Sequence, residues 1–241
     1  MIKRRTIFSL KQRLIVASLS FAFSPFASAE LFFNPLTQVD EGEISVGAAY
    51  TKSTVEYETS GSKFDVERKI VAANAAYGLG DDLGTAFGIG GYITESLFKA
   101  DGDKSSGEKG SVIGAGYAAT LPVDTEYTLK AYGQFAMWNE KYHDKDGAKI
   151  TGKGNEISVG VIAIKNMDDF DVYAGGEFYL SKTLEGEAKG TNDDGTSDFD
   201  RTKGFGLRAG GSYNMDEYTL FGNVGFVHES SFSVGISMKL E

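Results

Sequence analysis

Apolar and polar residues alternate along several stretches of the chain, and this two-residue period is typical of β-strands. Between residues 127 and 140, the odd positions carry mainly Tyr, Leu, Ala, Phe and Met, and the even positions carry mainly Thr, Lys, Tyr, Gln, Trp and Glu. Residues 83–94, 170–181 and 232–240 alternate in the same way. The apolar runs beyond residue 29 are too short for membrane-spanning helices, so the pattern predicts an all-β chain.

A repeated motif predicts the number of strands. An acidic residue, followed by an apolar residue and then by alternation, occurs five times along the chain. The starts lie roughly 40 to 50 residues apart, enough for two membrane-spanning strands of about 9–11 residues and their connections. Five units predict ten strands, with eight or twelve as alternatives. The motifs begin at Glu43, Asp82, Glu126, Asp169 and Glu217.

The predicted connections alternate between tight acidic turns and longer polar loops. Transmembrane barrels of the bacterial outer membrane have short periplasmic turns and longer external loops. We therefore expect a single transmembrane antiparallel up-and-down β-barrel, with both termini periplasmic and four or five loops outside. The short turns are predicted at residues 80–82, 122–126, 167–169 and 215–217, and the longer loops at 99–110, 141–154 and 182–203.

The two faces of each predicted strand differ in polarity, and this difference predicts which face meets lipid. The less apolar face carries Lys130, Glu177 and Arg208 together with several glycines. Glycines would fill the core of a soluble barrel poorly, but they leave room for large side chains in a narrow lumen. We therefore expect the apolar face to point towards lipid; a soluble periplasmic barrel is the alternative fold.

Two finer expectations follow from this orientation. On the strand at 83–94, it places Phe87, Ile89 and Ile93 on the lipid side and Tyr92 on the lumen side. Just inside the short turns, aromatic residues at a common height are expected to form a girdle at the periplasmic interface. The girdle residues are Tyr127, Phe170 and Tyr218.

The first 29 residues have the features of an export signal. Five Lys and Arg residues precede an apolar stretch at 14–26, and the small residues Ala27, Ser28 and Ala29 follow it. We expect cleavage after Ala29, which leaves residues 30–241 as one barrel domain. The chain has no Cys, so it is neither a disulfide scaffold nor a lipoprotein.

The charge balance argues against nucleic acid as a partner. The full chain carries 24 Lys and Arg against 34 Asp and Glu. Removal of the basic leader makes the remaining chain still more acidic, whereas phosphate binding requires a basic face.

The last residues resemble the terminal assembly signal of outer-membrane barrels, which runs from a polar residue through Gly to two hydrophobic residues one position apart. Here the corresponding residues are Ser233, Gly235, Met238 and Leu240, although the chain ends on Glu241 and not on the Phe of many such proteins. The chain as a whole resembles small Gram-negative outer-membrane barrels of the opacity-like and small porin-like group. That resemblance implies periplasmic chaperones, insertion by the barrel-assembly machinery and contact with outer-membrane lipid and lipopolysaccharide.

Charged residues on the predicted inner face are the candidate functional group. Glu177 and Arg208 are expected to meet on adjacent strands at similar depth, and Lys130, Gln134 and Asn223 come from nearby inward positions. The group could form a charged constriction in a pore, or a hydrogen-bonded network that closes the lumen. Ten strands lie nearer the closed limit, which favours a closed barrel.

No residue pattern predicts catalysis, a metal site or a cofactor. Omptin surface proteases are also ten-stranded barrels, with paired acids and an Asp-His pair at the outer rim. Three acidic pairs here have the spacing of the paired acids, but solvated charge in hydrophilic loops explains them better: Asp101 and Asp103, Asp144 and Asp146, and Asp198 and Asp200. The Asp-His pair has no match, because His143 and His228 are the only histidines and neither follows Asp-x. The acidic stretch at 193–200 lacks the spacing of an EF-hand. We therefore expect a surface or structural barrel that is not an enzyme, with a narrow channel as the first alternative and a rim hydrolase as the second.

Overall fold

The computed structural model describes residues 39–59, 62–80, 84–100, 103–122, 126–143, 149–189, 195–202, 204–227 and 229–240. The predicted signal segment and its cleavage site lie outside these residues. No helix within the described part of the chain is long and apolar enough to cross a membrane.

Twelve strand segments make up most of the described chain, and all of them pair antiparallel in one sheet. The longest segments have 19 or 20 residues, and the last hairpin is made of strands of 9 and 12 residues. The segments are β1 (Ile44–Thr59), β2 (Ser62–Gly80), β3 (Gly84–Ala100), β4 (Asp103–Gly107), β5 (Gly110–Thr120), β6 (Thr128–His143), β7 (Lys149–Met167), β8 (Phe170–Lys189), β9 (Gly195–Arg201), β10 (Phe205–Met215), β11 (Tyr218–Phe226) and β12 (Glu229–Leu240).

The twelve segments form a closed ring with ten strand positions. Both β4 and β5 pair with β3 on one side and β6 on the other, so they continue each other along one position of the ring. In the same way β9 and β10 both pair with β8. The prediction of an antiparallel barrel with ten strands is therefore confirmed.

The ring is closed differently at its two ends. Over most of its length β1 pairs with β12, from Ile44 with Leu240 to Val55 with Glu229. Beyond Val55, β1 pairs instead with β9, through Tyr57 with Arg201 and Glu58 with Asp200. The short hairpin β11–β12 is thus absent from that end of the ring. We call the ten-stranded part, which contains β5, β10, β11 and β12, the wide section, and the eight-stranded part, which contains β4 and β9, the narrow section.

Tight turns at the far end of the wide section are formed by acidic residues. Asp168 and Asp216 have φ angles of 45° and 46° in the hairpins β7–β8 and β10–β11. A two-residue hairpin turn requires a positive φ at its first position, and Asp tolerates this conformation better than most residues. These two turns lie where the sequence predicts them; the turn residues 81–83 and 123–125 lie outside the described part.

The segment before β1 crosses the same end of the barrel. Gly42 donates a backbone hydrogen bond of 3.0 Å to the carbonyl of Gly78, and Gly78 donates one of 3.1 Å to Glu43. A side chain on Gly78 would collide with the backbone carbonyls of Val39 and Asp40. The side chain of Val39 is buried in an apolar cluster with residues of the barrel interior.

Three of the four predicted strand orientations are correct and one is wrong. On β6, β8 and β12 the apolar face points outwards, with Phe135 and Phe178 exposed and Lys130 buried. On β3 the faces are reversed, because Phe87 is 6% exposed inside the barrel and Tyr92 is 69% exposed outside it. Ile89 and Ile93 are buried with Phe87.

The reversal on β3 has a physical reason. Its outward positions carry mostly Gly and Ala, whereas its inward positions carry bulky apolar residues. These residues pack against apolar side chains from β2, β5 and β6, among them Ile70, Val112 and Trp138. The lumen is therefore apolar on this side, and polarity alone gives the wrong direction there.

Candidate functional site

Aromatic side chains inside the barrel lie over glycines of the neighbouring strand. The Tyr132 ring covers Gly160 and the Trp138 ring covers Gly154, so closely that a Cβ atom on either glycine would collide with the ring. The inward glycines therefore make room for rings that project into a narrow lumen. The same arrangement pairs Phe87 with Gly116, Tyr173 with Gly210 and Phe221 with Gly235.

Glu177 and Arg208 form a fully buried ion pair in the wide section. Arg208 Nη2 lies 2.7 Å from Glu177 Oε1, and neither side chain is more than 1% exposed. The hydroxyls of Tyr132 and Tyr179 donate to the Glu177 carboxylate at 3.1 and 2.6 Å. In the register, Glu177 lies opposite Gly206 and Arg208 opposite Gly175, so the two side chains meet diagonally.

The other predicted lumen residues are buried on further strands of the same section. Lys130 and Gln134 lie inside on β6, and Asn223 lies inside on β11. The side-chain amide of Asn223 has no hydrogen-bond partner among the described residues. Asp171 accepts hydrogen bonds from Asn166 at 2.8 Å and Asn214 at 3.1 Å, nearer the tight turns.

A second buried ion pair, which sequence reasoning missed, lies where the lumen narrows. Arg68 on β2 donates three hydrogen bonds of 2.6 to 3.2 Å across the lumen to both carboxylate oxygens of Glu140 on β6. Ser96 donates to the same carboxylate at 2.9 Å, and its hydroxyl lies 2.8 Å from that of Tyr142. The Arg68 guanidinium also lies 5.1 Å from the centre of the Trp138 ring.

The inward direction of Glu140 follows from the alternation along β6, but the position of Arg68 does not. Its strand is separated from β6 by two other positions of the ring. Such a contact crosses the lumen, and no rule about adjacent strands predicts it. The only available signal is the two-residue period of β2, in which Arg68 shares a face with Val66 and Ile70.

Aromatic rings fill the narrow section beyond this pair. Phe64 lies at the centre, with its ring centre 4.5 Å from that of Phe98, 5.0 Å from that of Phe199 and 5.8 Å from that of Tyr57. We call these four residues the aromatic cluster. Val55, Val66 and Leu184 are buried beside it. The lumen of the narrow section is therefore packed with side chains.

The outward surface of the wide section forms an apolar belt. It exposes Val71, Ile113, Val159 and Ile236 among other large apolar side chains. The first charged outward residues beyond the belt include Lys52, on the side of the narrow section. A closed barrel with such a belt matches the surface that membrane barrels present to hydrocarbon.

The predicted girdle residues lie at the end of the belt near the tight turns. Tyr127 and Tyr218 are exposed, and the Nζ atom of Lys165 lies 5.4 Å from the centre of the Tyr127 ring. Phe170 begins β8 and lies over Gly211 of β10. Their role at a membrane interface stays a prediction.

The residues of the predicted assembly signal lie on β12, the closing strand of the wide section. Ser233 is buried, with its Oγ atom 2.8 Å from Thr51 Oγ1 on β1. Gly235 lies under the Phe221 ring and against the carbonyl of Ala48. Leu240 is exposed and Met238 is partly exposed, both on the outward face. Gly235 thus has a packing role whatever its part in assembly.

Two of the solved structures that match the fold of this chain have a TM-score of 0.50 or above. One is the translocator domain of the autotransporter NalP from Neisseria meningitidis, with 14% identity and a TM-score of 0.50 over 95% of this chain and 94% of that one. The other is the outer membrane protease OmpT from Escherichia coli, with 9% identity and a TM-score of 0.51 over 86% of this chain and 100% of that one. This chain has the fold of an outer-membrane β-barrel. No protein-family model and no curated protein matches its sequence.

In the described part of this barrel, few residues of the types used in catalysis lie close to one another. His143 is partly exposed at the rim, with its Nδ1 atom 3.6 Å from Glu108 Oε1. No group of three His, Asp or Glu side chains in the described ranges is arranged to hold a metal ion. His228, the acidic pair Asp144 and Asp146, and the start of the acidic stretch at 193–200 lie outside the described residues.

Proposed function

We propose that this chain is an integral protein of the outer membrane, exported by its leader and serving as a closed surface barrel. The observation that carries the proposal is the filling of the narrow section by the aromatic cluster and by the Arg68–Glu140 pair. About eight strands enclose little more than their own side chains, so this section blocks the lumen.

A structural role at the cell surface, of the kind that opacity-like barrels have, agrees with this architecture. The narrow section extends beyond the apolar belt on long strands, and carries mixed charges on its outer surface. Periplasmic chaperones and the barrel-assembly machinery would deliver the chain, and outer-membrane lipid and lipopolysaccharide would surround it.

Planar-bilayer conductance of the refolded protein tests whether the lumen is closed. The parent should show no discrete conductance steps, because the aromatic cluster leaves no path for hydrated ions. The double variant Phe64→Ala, Phe98→Ala removes two rings of the aromatic cluster. It should produce conductance steps, which makes it the positive control. Slower mobility of the boiled than of the unboiled protein on a gel would show that each preparation is folded.

Discrete steps in the parent would contradict the closed barrel and favour the narrow channel. If Glu177→Ala then changed the size of those steps, the pair in the wide section would be the charged constriction.

The proposal assigns no catalytic role to the rim. Turnover of peptides and of lipid A by the refolded parent, by His143→Ala and by His228→Ala tests this part. We expect no turnover above background in any of the three. Activity in the parent that either variant abolishes would establish a hydrolase and overturn this assignment.

A further inference from the structure

The inner surface of the wide section is polar on one side only. On β11, β12 and β1 the buried inward side chains are mostly small or polar, whereas those of β2, β3 and β6 form a packed apolar cluster that includes Trp138. Small side chains leave space in a ten-stranded lumen that bulky side chains would fill. We call the following buried residues the polar wall: Ser45, Thr51, Asn223, Ser231, Ser233 and Ser237.

The polar wall leads to the Glu177–Arg208 ion pair. Ser231 lies opposite Gly225 in the register, and Gly225 lies opposite Arg208 on its other side. The Nε and Nη1 atoms of Arg208, the side-chain amide of Asn223 and the hydroxyl of Ser231 have no hydrogen-bond partner among the described residues. Buried polar groups without a protein partner are usually satisfied by water, so we expect water on this side of the lumen.

The line of small side chains continues past one aromatic ring towards the tight turns. The Phe221 ring covers Gly235 on β12, and Ala49 on β1 lies opposite Gly235 in the register. Ser45 and Ser237 follow, close to the end of the β1–β12 ladder. They are nevertheless only 3% and 5% exposed, so this end of the lumen is covered.

The cover is the segment before β1, residues 39–43, which we call the lid. Val39 is buried inside the barrel in a cluster with residues from β2, β3, β5, β6, β7 and β8. Near the end of β12, Lys239 Nζ lies 3.5 Å from Asp40 Oδ2 and 3.7 Å from Glu43 Oε2. The lid therefore crosses the mouth of the wide section from the interior cluster to the end of the polar wall.

The lid is held more weakly than the wall of the barrel. Two backbone hydrogen bonds join Gly42 and Glu43 to Gly78. The ion pairs with Lys239 are long and exposed, and such pairs stabilise little and are screened by salt. In contrast, β1 is paired with a neighbour on both sides along most of its length. A segment with so few contacts opens locally while the sheet stays intact.

We propose that the polar wall bounds a blind aqueous pocket, which opens to the periplasm when the lid lifts and admits small uncharged solutes. The aromatic cluster closes the pocket at its other end. Uncharged solutes are favoured because Glu177 already neutralises Arg208, and a further charge in the lumen would be buried without a partner. The direction of the opening rests on the membrane location proposed above.

Cysteine accessibility tests the pocket, because the chain has no Cys and a single introduced thiol is the only target. Ser231→Cys places the thiol at the deep end of the pocket, and Val66→Cys places a buried thiol beside the aromatic cluster. The detergent-refolded chain is treated with iodoacetamide, a small uncharged reagent, and alkylation is followed by intact mass. Relative to the same variants unfolded in urea, Ser231→Cys should react at least about tenfold faster than Val66→Cys.

The charge of the reagent tests which solutes enter. Iodoacetate has nearly the size of iodoacetamide but carries a negative charge. On the same relative scale, it should react with the Ser231→Cys variant at least about tenfold more slowly than iodoacetamide does. Equal relative rates would overturn the preference for uncharged solutes.

Gly78→Val tests the lid. A side chain at this position collides with the backbone carbonyls of Val39 and Asp40, so it should displace the lid. Combined with Ser231→Cys, it should speed up alkylation at least about fivefold, because access no longer waits for spontaneous opening. Combined with Val66→Cys, it should leave the rate unchanged.

A second variant loosens the lid without adding bulk, and it serves in place of Gly78→Val should that variant not fold. Asp40→Asn, Glu43→Gln removes both ion pairs to Lys239 and should speed up alkylation of the deep thiol about twofold, as should 1 M salt with the original lid. Gly90→Val is the matched control, because it adds the same bulk on the outward face of β3, where a Cβ atom meets nothing within 4 Å. It should change neither rate.

Two results would overturn the proposal. Equal reaction of the Ser231→Cys and Val66→Cys variants would show that the wide section contains no aqueous pocket. Unchanged rates in both lid variants, or an equal increase in Gly90→Val, would show that residues 39–43 do not control access. Conductance reports on the aromatic cluster separately: Gly78→Val should show no steps, and steps in the parent would contradict the closed barrel but not the pocket.

Discussion

The wide and narrow sections of this barrel close their lumens in different ways. Where the lumen begins to narrow, Arg68 makes three hydrogen bonds to Glu140, and aromatic rings fill the narrow section beyond this pair. In the wide section, Arg208 has one close contact with Glu177, and its Nε and Nη1 atoms have no hydrogen-bond partner among the described residues. The side-chain amide of Asn223 likewise has no hydrogen-bond partner among the described residues.

The difference teaches how two additional strands change a barrel interior. Eight strands enclose a space that side chains fill, and ten strands enclose more than they fill. We therefore expect water in the lumen to satisfy the buried polar atoms of Arg208 and Asn223 in the wide section. Because the Arg68–Glu140 pair makes three hydrogen bonds and lies beside packed aromatic rings, we expect its environment to be the drier of the two.

Removing the carboxylate of each pair should have the largest effect and should separate the two sections. Glu140→Ala leaves the Arg68 guanidinium buried without its partner, which we expect to cost about 3–5 kcal/mol in the free energy of unfolding. Glu177→Ala should cost roughly half as much, because lumen water can solvate Arg208. Urea unfolding in detergent, followed by the fluorescence of the chain's one Trp, measures both.

Two further variants control this result. Glu185→Ala removes an exposed carboxylate and should change stability by less than about 0.5 kcal/mol. The double variant Arg68→Met, Glu140→Leu removes both charges and should recover most of the loss. Equal losses in Glu140→Ala and Glu177→Ala would break the distinction between a dry and a hydrated section.

A smaller effect should come from adding a methyl group under each of two rings along β7. Gly154→Ala pushes against Trp138, which is held by the apolar cluster and by Arg68, whereas Gly160→Ala pushes against Tyr132 in the wider lumen. Overpacking costs about 1–3 kcal/mol, and we expect Gly154→Ala at the upper end and Gly160→Ala at the lower. The same unfolding measurement applies.

The control is Gly90→Ala on the outward face of β3, where a Cβ atom meets nothing within 4 Å. It should unfold like the parent. A larger loss for Gly160→Ala than for Gly154→Ala would mean that the wide lumen is the more tightly packed of the two.

The smallest effect should come from a surface group outside the membrane, in which Lys52 and Lys99 both contact Glu67. Burial alone would raise the pKa of Glu67, but hydrogen bonds from Lys52 and Lys99 outweigh it and hold the pKa below the ordinary value of 4.5. A lowered pKa in the folded state contributes stability above the unfolded pKa, and this contribution is lost as the pH falls below about 4.5. Because these three residues lie on the surface, we expect them to contribute under about 1 kcal/mol to the free energy of unfolding.

Stability measured between pH 7 and pH 3 tests this last expectation. The parent should lose slightly more than Glu67→Gln over that range, and 1 M salt should shrink the difference by screening. A difference as large as that between the parent and Glu140→Ala would mean that this surface group stabilises the fold as strongly as the buried ion pairs.

The sequence predicts the ring well because strand period and repeat are local properties. Alternation identifies the faces of β6, β8 and β12, and the five acidic motifs count the strand pairs. The predicted orientation is wrong on β3, because its outward side chains are small and its inward side chains are bulky and apolar. No difference in polarity there distinguishes the lumen side from the lipid side.

The two ion pairs show the same limit. Glu177 and Arg208 lie on adjacent strands, at similar distances from two tight turns at the same end of the barrel, and these distances predict that the two residues meet. Arg68 and Glu140 meet across the lumen, and this depends on where the barrel narrows. The narrowing in turn depends on pairing between β1 and β9, two segments far apart in sequence whose contact no repeat reveals.

The closure between β1 and β9 has a mechanical consequence for the wall of the barrel. Two register pairs join these strands in the narrow section, whereas twelve pairs join β1 to β12 below them. A fluctuation that opens the wall of the barrel would therefore begin at the β1–β9 pairing. The long β1–β12 ladder would stop the opening before it reached the bilayer.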